Sequence, residues 1–368
     1  MPTYIHQRKE WPRFTWDEEK CMPLLIQVRH KQGKLLGHMQ GMGFNLQSEA
    51  NLQTLTLDVL KSSEIEGVVL DAGQVRSSIA KRLGLDIAGL VPVDRNVDGV
   101  VEMMLDATQN FKEALTTERM FNWHAALFPT GRSGMQKIVV ANWRNNEKSD
   151  PMQVVSGPMG RETVHFQAPD ASLLPDEMSA FLIWFNAAIH IDPVIKAAIA
   201  HLWFVTIHPF DDGNGRMARA IADMQLARAD NNSNRFYSLS AQIRKERNAY
   251  YDVLEHTQKD SLDITEWILW FLNCLDRALS ATDETLATVL QKARFWETHA
   301  VVSLNERQKM MMNKLLDGFI GKLNSSKWAK ITNCSSDTAV RDINDLVQKG
   351  ILQKDEGGGR STSYSLKK

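Results

Sequence analysis

The chain has 368 residues, of which 43% are hydrophobic and 24% are charged. This is the composition of an ordinary globular protein, and the length is enough for two or three domains. Lys and Arg together number 43, and Asp and Glu number 44. The whole chain therefore carries no excess of charge that would attract it to nucleic acid or to a membrane.

Cysteine use and hydropathy exclude two further classes of protein. The three cysteines are scattered singly, which argues against a disulfide framework and against a zinc site. The N-terminal residues have no apolar signal core, and the most apolar runs, 180–191 and 194–207, are short or interrupted by Asn186 and Lys196. We therefore expect a cytoplasmic protein with no membrane partner.

Apolar residues recur with a helical period along most of the chain, which predicts a mainly α fold. Two such stripes occur in the first third of the chain: Leu52, Leu55, Val59 and Leu60, then Val101, Met104, Leu105, Phe111 and Leu115. Asp192 and Pro193 open a helix that is apolar nearly all round, and such a helix belongs in the middle of a core. A further helix is predicted after Ser261.

One segment between the helices has a different pattern. Residues 152–156 and 162–166 are short β-prone runs on either side of a turn sequence that contains two glycines and a proline. This pattern predicts a β-hairpin over 152–168. A lone hairpin in a helical protein cannot be a core sheet, so we interpret it as a surface flap.

The last part of the chain, 301–368, has a pattern of its own. Helices are predicted around 305–317, 326–330 and 335–349, and two short strands at 351–354 and 362–366. This order resembles a winged helix-turn-helix module. From Ile320 onward nine basic residues exceed five acidic ones, a balance of +4, with Arg341 on the third helix and Arg360 on the wing. DNA binding and protein contact are both open as its role.

The stretch from His208 to Arg219 is the most informative in the chain. Pro209 and two glycines require a tight loop, after which an apolar stripe starts a new helix near Asn214. Backbone N–H groups at such a helix N-terminus can bind phosphate. Arg216 and Arg219 lie three residues apart and project from one side of the first turn. Because cations oppose the macrodipole there, we expect an anion to bind.

Two more residues of this stretch suggest chemistry at phosphorus. Asp212 would offer a carboxylate beside the phosphates, which is how proteins usually hold Mg²⁺. His208 lies at the mouth of the loop, where its imidazole could accept a proton from an attacking hydroxyl. A base, a metal carboxylate, a phosphate nest and two arginines are the parts required for transfer to a phosphorus centre.

This stretch resembles the signature of the Fic family, HPFx(D/E)GNGRxxR, at every specified position. The resemblance extends over about 96–276 and includes the flap, whereas the P-loop and GxGxxG patterns of commoner nucleotide folds do not occur. It implies a Fic-type helical core at 96–300, preceded by a helical extension at 1–95. It also implies a protein adenylyltransferase that moves AMP from ATP to a Ser, Thr or Tyr hydroxyl of a target protein.

The resemblance implies a role for each matching residue. His208 would deprotonate the target hydroxyl, and Asp212 would hold Mg²⁺. The residues implied to bind ATP are Gly213, Asn214, Gly215, Arg216 and Arg219 for its phosphates, and Tyr251 and Gln258 for adenine. The residues implied to hold the target as an added strand are Val154, Val155, Ser156, Gly157 and Pro158. The resemblance also allows the chain to modify itself and to form a homodimer.

Residues 62–67 resemble the inhibitory pattern of the same family, (S/T)xxxE(G/N), with Ser62, Glu66 and Gly67 in the defining places. Glu66 would pair with Arg219 and occupy the cation that the γ-phosphate needs. By itself the string is also typical of a helix end capped by glycine. Related proteins use this glutamate to remove AMP as well. A DNA-binding regulator with a nucleotide-sensing Fic core is the rival interpretation, and the intact His208 favours the enzyme.

Overall fold

The computed structural model describes residues 4–87, 89–158, 161–299, 301–316, 319, 321–355 and 362–367. The chain divides into two compact units. The larger comprises Met1–Leu83 and Pro92–Asp283, and the smaller comprises Gly84–Val91 and Glu284–Lys368. The predicted division at 95 and 300 stays a prediction. Within the described ranges, every helix is too short or too polar to cross a membrane.

The larger unit is almost entirely helical. Its helices are α1 (Glu18–Gln40), α2 (Phe44–Ile65), α3 (Ala72–Arg82), α4 (Arg95–Gln109), α5 (Thr117–Leu127), α6 (Leu174–Asn186), α7 (Pro193–Ile207), α8 (Asn214–Asp230), α9 (Leu239–Lys245), α10 (Arg247–Lys259) and α11 (Thr265–Thr298), the last of which continues into the smaller unit. Short 3₁₀ turns occur at Ile5–Gln7 and Ala171–Leu173. The prediction of a mainly α fold is confirmed.

α7 is the central helix of the larger unit. Asp192 caps its N-terminus by accepting the Val194 N–H at 2.8 Å, and Pro193 occupies its first turn, where no N–H is needed. From Val194 to Ile207 every residue is buried, as its apolar sequence predicts. α8 packs along it, and α2 and α4 pack in turn on α8.

The stripe predicted to continue from Val101 to Leu115 is wrong in its second half. α4 ends at Gln109, and Asn110 follows as its C-cap. Phe111 and Leu115 remain buried, at 6% and 1% exposure, although they lie in the connection to α5. Apolar residues in a connection can bury their side chains without continuing the helix, and periodicity alone does not separate the two cases.

The predicted flap is an antiparallel hairpin. β3 (Gln153–Ser156) pairs with β4 (Thr163–Gln167), with an irregularity between Val154 and Val155. The turn residues 159–160 lie outside the described residues. A second, smaller hairpin pairs β1 (Arg132–Ser133) with β2 (Gln136–Lys137).

The smaller unit places helices before a hairpin. It contains α12 (Glu306–Leu316), α13 (Ser325–Thr332) and α14 (Ser336–Gln348), and then β5 (Leu352–Lys354) paired with β6 (Tyr364–Leu366). Its buried core includes Met311, Met312, Trp328, Ile343 and Leu346. The element order agrees with the sequence pattern, whereas the winged-helix assignment stays a prediction. Arg360 lies outside the described residues.

Candidate active site

The predicted catalytic residues lie on the loop that joins α7 to α8. The backbone of His208 is left-handed at φ 51°, which is uncommon outside glycine, and Gly213 follows at φ 83°. The side chain of Asn214 closes the loop, because its Oδ1 accepts the Phe210 N–H at 3.0 Å and its Nδ2 donates to the Phe210 carbonyl at 2.8 Å. The side-chain amide of Asn214 is thus engaged within the loop.

His124 of α5 supports this loop from below. Its ring stacks on Phe210, with centroids 4.2 Å apart and planes 13° apart. Its Nδ1 accepts the Ala141 N–H at 3.2 Å, so its Nε2 carries the proton and donates to the Asp212 carbonyl at 3.1 Å. Burial lowers the pKa of His124 to about 4, which keeps the ring neutral in this role.

Arg144 fixes the loop from the other side. Its Nε donates to the His208 carbonyl at 2.8 Å, and its backbone N–H donates to the Pro209 carbonyl at 2.9 Å. Its Nη2 also reaches the Pro169 carbonyl at 2.6 Å. Burial lowers the pKa of Arg144 to about 10, so it stays charged at neutral pH. Sequence reasoning missed this residue, because an arginine that binds distant carbonyls has no local pattern.

The ring of His208 is half-buried and set in one orientation. Its Nδ1 lies 3.2 Å from the Val205 carbonyl, which can only accept, so the proton is on Nδ1 and the lone pair is on Nε2. Burial lowers the pKa of His208 to about 4, and the hydrogen bond to Val205 only partly offsets that effect. The ring is therefore neutral at physiological pH, in the form that a general base requires.

Arg216 and Arg219 are buried together at the N-terminus of α8, at 7% and 1% exposure. The Arg216 guanidinium lies over the Phe128 ring, 5.0 Å from its centroid. Burial lowers the pKa of Arg216. Two of their nitrogen atoms, Nε of Arg216 and Nη1 of Arg219, are buried without a hydrogen-bond partner among the described residues. Orphaned donors of this kind are rare and costly in folded proteins.

The C-terminal end of α2 contacts Arg219 directly. Glu66 Oε1 accepts from Arg219 Nη2 at 2.7 Å, and Ser62 accepts from Nε through its hydroxyl and from Nη2 through its carbonyl, both at 2.9 Å. Burial opposes the charge of Arg219, but Glu66 together with Tyr250 and Tyr251 outweighs that effect, so the pKa of Arg219 is raised. The three oxygen atoms that accept from Arg219 belong to two residues, Ser62 and Glu66, and the sequence pattern singled out both.

The same segment is also a glycine-capped helix end. Gly67 has φ 80°, its N–H donates to the Glu64 carbonyl at 3.1 Å, and the Val68 N–H donates to the Ser63 carbonyl at 3.0 Å. These two bonds form a Schellman motif. The interpretation as a capped helix end is confirmed, and the same cap places Glu66 beside Arg219, whereas the inhibitory role stays a prediction.

The two neighbouring aspartates of the loop have different surroundings. Asp211 accepts the Val139 N–H at 2.8 Å and so ties the loop to the segment after β2. Asp212 has 43% of its side chain exposed, and its Oδ1 lies 3.9 Å from Arg216 Nη2. Asp212 also accepts the hydroxyl of Ser133 and the N–H of Gly213. The Asp212 carboxylate is thus exposed enough for a ligand to reach.

Two glycines of the loop lie close to other side chains. A Cβ on Gly213 would lie 2.9 Å from the Phe128 ring, on a backbone that L side chains rarely adopt. A Cβ on Gly215 would overlap the Glu66 carboxylate and lie 3.3 Å from Arg219 Nη1. The backbone at Gly215 therefore lies close to the charged side chains of Glu66 and Arg219.

The two residues implied to contact adenine differ in accessibility. Tyr251 on α10 is 36% exposed, and the Arg247 guanidinium lies over its ring at 5.2 Å. Gln258 is only 5% exposed, and its Nε2 donates to the Thr206 hydroxyl of α7 at 3.1 Å. The Tyr251 ring can reach a ligand as it stands, whereas the Gln258 amide nitrogen is already bonded within the protein.

The flap is fixed to α10 by a relay of side chains. Ser156 and His165 are bonded across the hairpin at 2.6 Å, and His165 Nδ1 lies 2.6 Å from Glu255 Oε2 on α10. Val155 is 47% exposed, and Gly157 opens the turn at φ 105°. β3 has β4 as its single strand partner among the described residues, which leaves its outer edge open to pairing.

Comparisons with known proteins agree with this geometry. A family model described as "Fic/DOC family" matches residues 114–226, and one described as "Domain of unknown function (DUF4172)" matches residues 4–85. The protein adenylyltransferase Fic of Culex quinquefasciatus is 36% identical over 112 residues, which are 30% of this chain and 20% of the relative. The protein adenylyltransferase Fic of Aedes aegypti is 25% identical over 225 residues, which are 60% of this chain and 40% of the relative.

Two solved structures share the fold. A Fic family protein from Desulfovibrio desulfuricans superposes with a TM-score of 0.52 at 20% identity, covering 94% of this chain and 96% of that one. A Fic domain containing signaling protein from Bacteroides thetaiotaomicron has a TM-score of 0.51 at 20% identity, covering 72% and 97%.

The helical core and the loop between α7 and α8 thus define a Fic domain at residues 114–226. Residues 114–226 therefore match the Fic/DOC family, and the sequence motif at 208–219 lies within that range. The chain spans 20% to 40% of the length of the two curated relatives named above.

Proposed function

We propose that this chain transfers AMP from ATP to a hydroxyl group of a target protein. The observation that carries the proposal is the pair of buried arginines, Arg216 and Arg219, with a donor on each left without a partner among the described residues. Burying a cation is costly unless it is paired. The triphosphate of ATP would supply the missing acceptors at the N-terminus of α8, where the backbone also favours an anion.

The proton is the second part of the proposal. The target hydroxyl gives its proton to Nε2 of His208 as its oxygen attacks the α-phosphorus. The bond from that phosphorus to the bridging oxygen breaks, and pyrophosphate leaves against Arg216. The support is the single tautomer of His208, whose Nδ1 is engaged by Val205. Its low pKa, about 4, keeps Nε2 free to accept a proton at neutral pH.

Asp212 fits the requirement for Mg²⁺. The described residues contain no cluster of three or more His, Cys, Asp or Glu that would hold a metal alone. Mg²⁺, however, is commonly held by one or two carboxylates together with substrate phosphates and water. The exposed carboxylate of Asp212, beside Arg216 and the nest, is a donor of that type. Bound there, Mg²⁺ would neutralise charge on the phosphates.

Glu66 is proposed to inhibit the transfer. Its ion pair with Arg219 at 2.7 Å occupies the cation that would bind the γ-phosphate. Ser62 reinforces the contact, because it accepts from the same guanidinium through two oxygens. ATP must then displace Glu66 or bind without its γ-phosphate partner, and either costs affinity for the productive position.

The flap is proposed to bind the target and Tyr251 to bind adenine. The open edge of β3 could pair with an extended segment of the target, a mode that depends mainly on backbone hydrogen bonds. The residues concerned are Val154 to Pro158. Gln258 would join Tyr251 only if its bond to Thr206 were exchanged for one to the base.

The test is incubation of the full chain with α-labelled ATP and Mg²⁺, as wild type and as Glu66→Gly. We expect labelled protein, either the chain itself or proteins of a lysate, and more label with Glu66→Gly. The double variant Glu66→Gly, Arg219→Ala should fall back, since the γ-phosphate again lacks its partner. Glu64→Gln is the matched control, because the Glu64 carboxylate pairs with Lys61 and Arg244 rather than with Arg219, and it should behave as wild type.

Two outcomes would favour other functions. Absence of label from both proteins, with loss of label from a pre-labelled target, would indicate removal of AMP at the same site. ATP binding without transfer in either direction would indicate a nucleotide-sensing core, as in a DNA-binding regulator. Equal labelling by wild type and Glu66→Gly would contradict the inhibitory role alone.

A further inference from the structure

A surface cavity of about 450 Å³ lies at the opposite end of α7 and α8 from the catalytic loop. Its volume is in the range of ligand pockets, about 300–1,000 Å³. Among the described residues, three cationic side chains line it, Lys112, Lys196 and Arg228, and no carboxylate residue does. Much of the rest of its wall is apolar and includes Ile189 and Ile191.

Lys196 is the buried cation of this cavity. It is only 6% exposed, and its ammonium donates to the Ala187 carbonyl at 2.8 Å and lies 5.4 Å from the centroid of the Trp184 ring. An ammonium has three donors, so two remain after this bond. Burial, together with the charge of Arg228, lowers the pKa of Lys196 to about 8. It is still mostly protonated at neutral pH.

Arg228 adds a second, half-buried charge. Its guanidinium lies over the Phe185 ring at 4.7 Å, and Lys196 lies 5.8 Å from the same ring. Its Nε and Nη2 donate to the carbonyls of Phe111 and Glu113 at 2.7 and 2.9 Å. In the part of the chain that the structure describes, both cations are balanced by carbonyls and aromatic faces and neither by a carboxylate. Like charges on one ring repel, and an anion would relieve that repulsion.

The cavity is separate from the catalytic loop. Pro193, in its lining, is the first residue of α7, and His208 follows the last. A helix of 15 residues is about 22 Å long, which is too far for one small ligand to reach both ends.

We propose that this cavity binds an organic phosphate. The phosphate oxygens would accept from the two remaining N–H donors of Lys196. The positive charges of Arg228 and Lys112 would add electrostatic attraction. A dianionic phosphate balances three positive charges better than a monoanionic carboxylate does. The organic part would lie against Ile189 and Ile191, since an inorganic ion would leave that apolar wall in water. This site does not depend on the proposed transfer of AMP.

Isothermal titration calorimetry at low salt tests the site. The full chain carries Arg216→Ala, so that binding at the catalytic loop is weakened, and is titrated with phenyl phosphate and with inorganic phosphate. We expect phenyl phosphate to bind one to one and at least threefold more tightly than inorganic phosphate. Lys196→Met in the same background should weaken binding about tenfold or more. Lys34→Met, an exposed lysine on α1, should leave it unchanged.

Lys112→Ala is the second variant. Because Lys112 is exposed, its loss should not affect folding, and affinity should fall about threefold. Unchanged affinity in both Lys196→Met and Lys112→Ala would overturn the site, as would absence of binding in the parent. If Lys196→Met does not fold, the result with Lys112→Ala decides. Equal affinity for the two phosphates would overturn the organic part of the proposal.

Discussion

The two compact units differ in how they hold their charged side chains. At the catalytic loop of the larger unit, Arg216 and Arg219 are buried, and Glu66 is the one carboxylate within 3 Å of either among the described residues. In the smaller unit, charges form ion pairs close to the surface, such as Lys309 with Glu306 at 3.0 Å and Lys349 with Asp345 at 2.6 Å.

We interpret the buried arginines as charges that serve a ligand, and the surface ion pairs as charges that serve solubility. Exposed ion pairs contribute about 0–1 kcal/mol and carry no indication of a site. Buried cations with orphaned donors cost much more, so a protein retains them where something binds. This reasoning locates chemistry in the larger unit without reference to any relative. The predictions below test the contrast, from the largest expected effect to the smallest.

Removal of the proposed base should have the largest effect. His208→Ala, in the Glu66→Gly background, should lower the rate of AMP transfer about 10²–10⁴-fold, the usual cost of losing a general base. ATP affinity should stay within a few fold, because His208 is not among the proposed phosphate contacts. Rates with α-labelled ATP and affinity by calorimetry measure the two quantities.

His190→Ala is the matched control for this experiment. His190 is an exposed histidine in the connection between α6 and α7, away from the loop. Its replacement should leave both quantities unchanged. Transfer at an undiminished rate by His208→Ala would refute the proposed mechanism, and the buried arginines would then need another explanation.

Acid should destabilise the larger unit more than the smaller. Burial lowers the pKa of His124 to about 4 and of His201 to about 3, below the ordinary value of 6.5. The unfolded chain therefore binds more protons, so stability is full above pH 6.5 and falls as the pH drops toward 4. At pH 5 the loss is roughly 2 kcal/mol for each of these residues.

Hydrogen exchange followed by mass spectrometry, corrected for intrinsic rates, resolves the two units. Peptides of α7 and α8 should lose protection between pH 7 and pH 5, and peptides of α14 should change less. His201→Gln should flatten the dependence, whereas His38→Gln, at an exposed position on α1, should not. An equal loss of protection in both units would contradict the assignment to buried histidines.

The two loop aspartates should respond differently to loss of charge. Asp212→Asn should raise the Mg²⁺ concentration needed for half-maximal transfer about tenfold or more, because a charged ligand is lost. Asp211→Asn should change it little, since the amide oxygen can still accept the Val139 N–H. A titration of activity with Mg²⁺ measures both. The reverse result would mean that the metal assignment must be exchanged between the two.

The sequence predicts those parts of the site that lie close together along the chain. His208, Asp212, Arg216 and Arg219 fall within one turn and one helix start, so spacing alone places them together. Glu66 is predictable only through its resemblance to a family pattern, because 153 residues separate it from Arg219.

Other supports of the site could not be predicted. Arg144 binds carbonyls 64 residues further along the chain, and Ser133 reaches Asp212 across 79. Such contacts depend on tertiary packing, and a carbonyl acceptor is the same in every residue type. The helix ends follow local chemistry better. Asp192 and Ser335 cap α7 and α14 where the sequence expects them to, whereas the apolar stripe beyond Gln109 was misassigned to a helix.

The smallest effect is expected for DNA binding by the smaller unit. Arg341 lies exposed on α14, and the hydroxyl of Ser335 caps that helix by accepting the Thr338 N–H at 3.2 Å. Since ion pairs such as Lys309 with Glu306 and Lys349 with Asp345 neutralise part of the charge of this unit, we expect weak binding of duplex DNA. The logarithm of its binding constant should fall by about 0.9 per phosphate contact as the logarithm of salt rises.

Arg341→Ala should weaken this binding a few fold and lower the salt slope by about 1, as expected when one phosphate contact is lost. Arg294→Ala, at an exposed position on α11, is the matched control and should leave the slope unchanged.

A chain that ends near residue 300 should bind no DNA and still transfer AMP once Glu66 is replaced. Absence of binding by the full chain at low salt would instead favour a protein partner. Loss of transfer in the shortened chain would mean that the smaller unit stabilises the catalytic core, and the contrast between the units would then be one of charge but not of role.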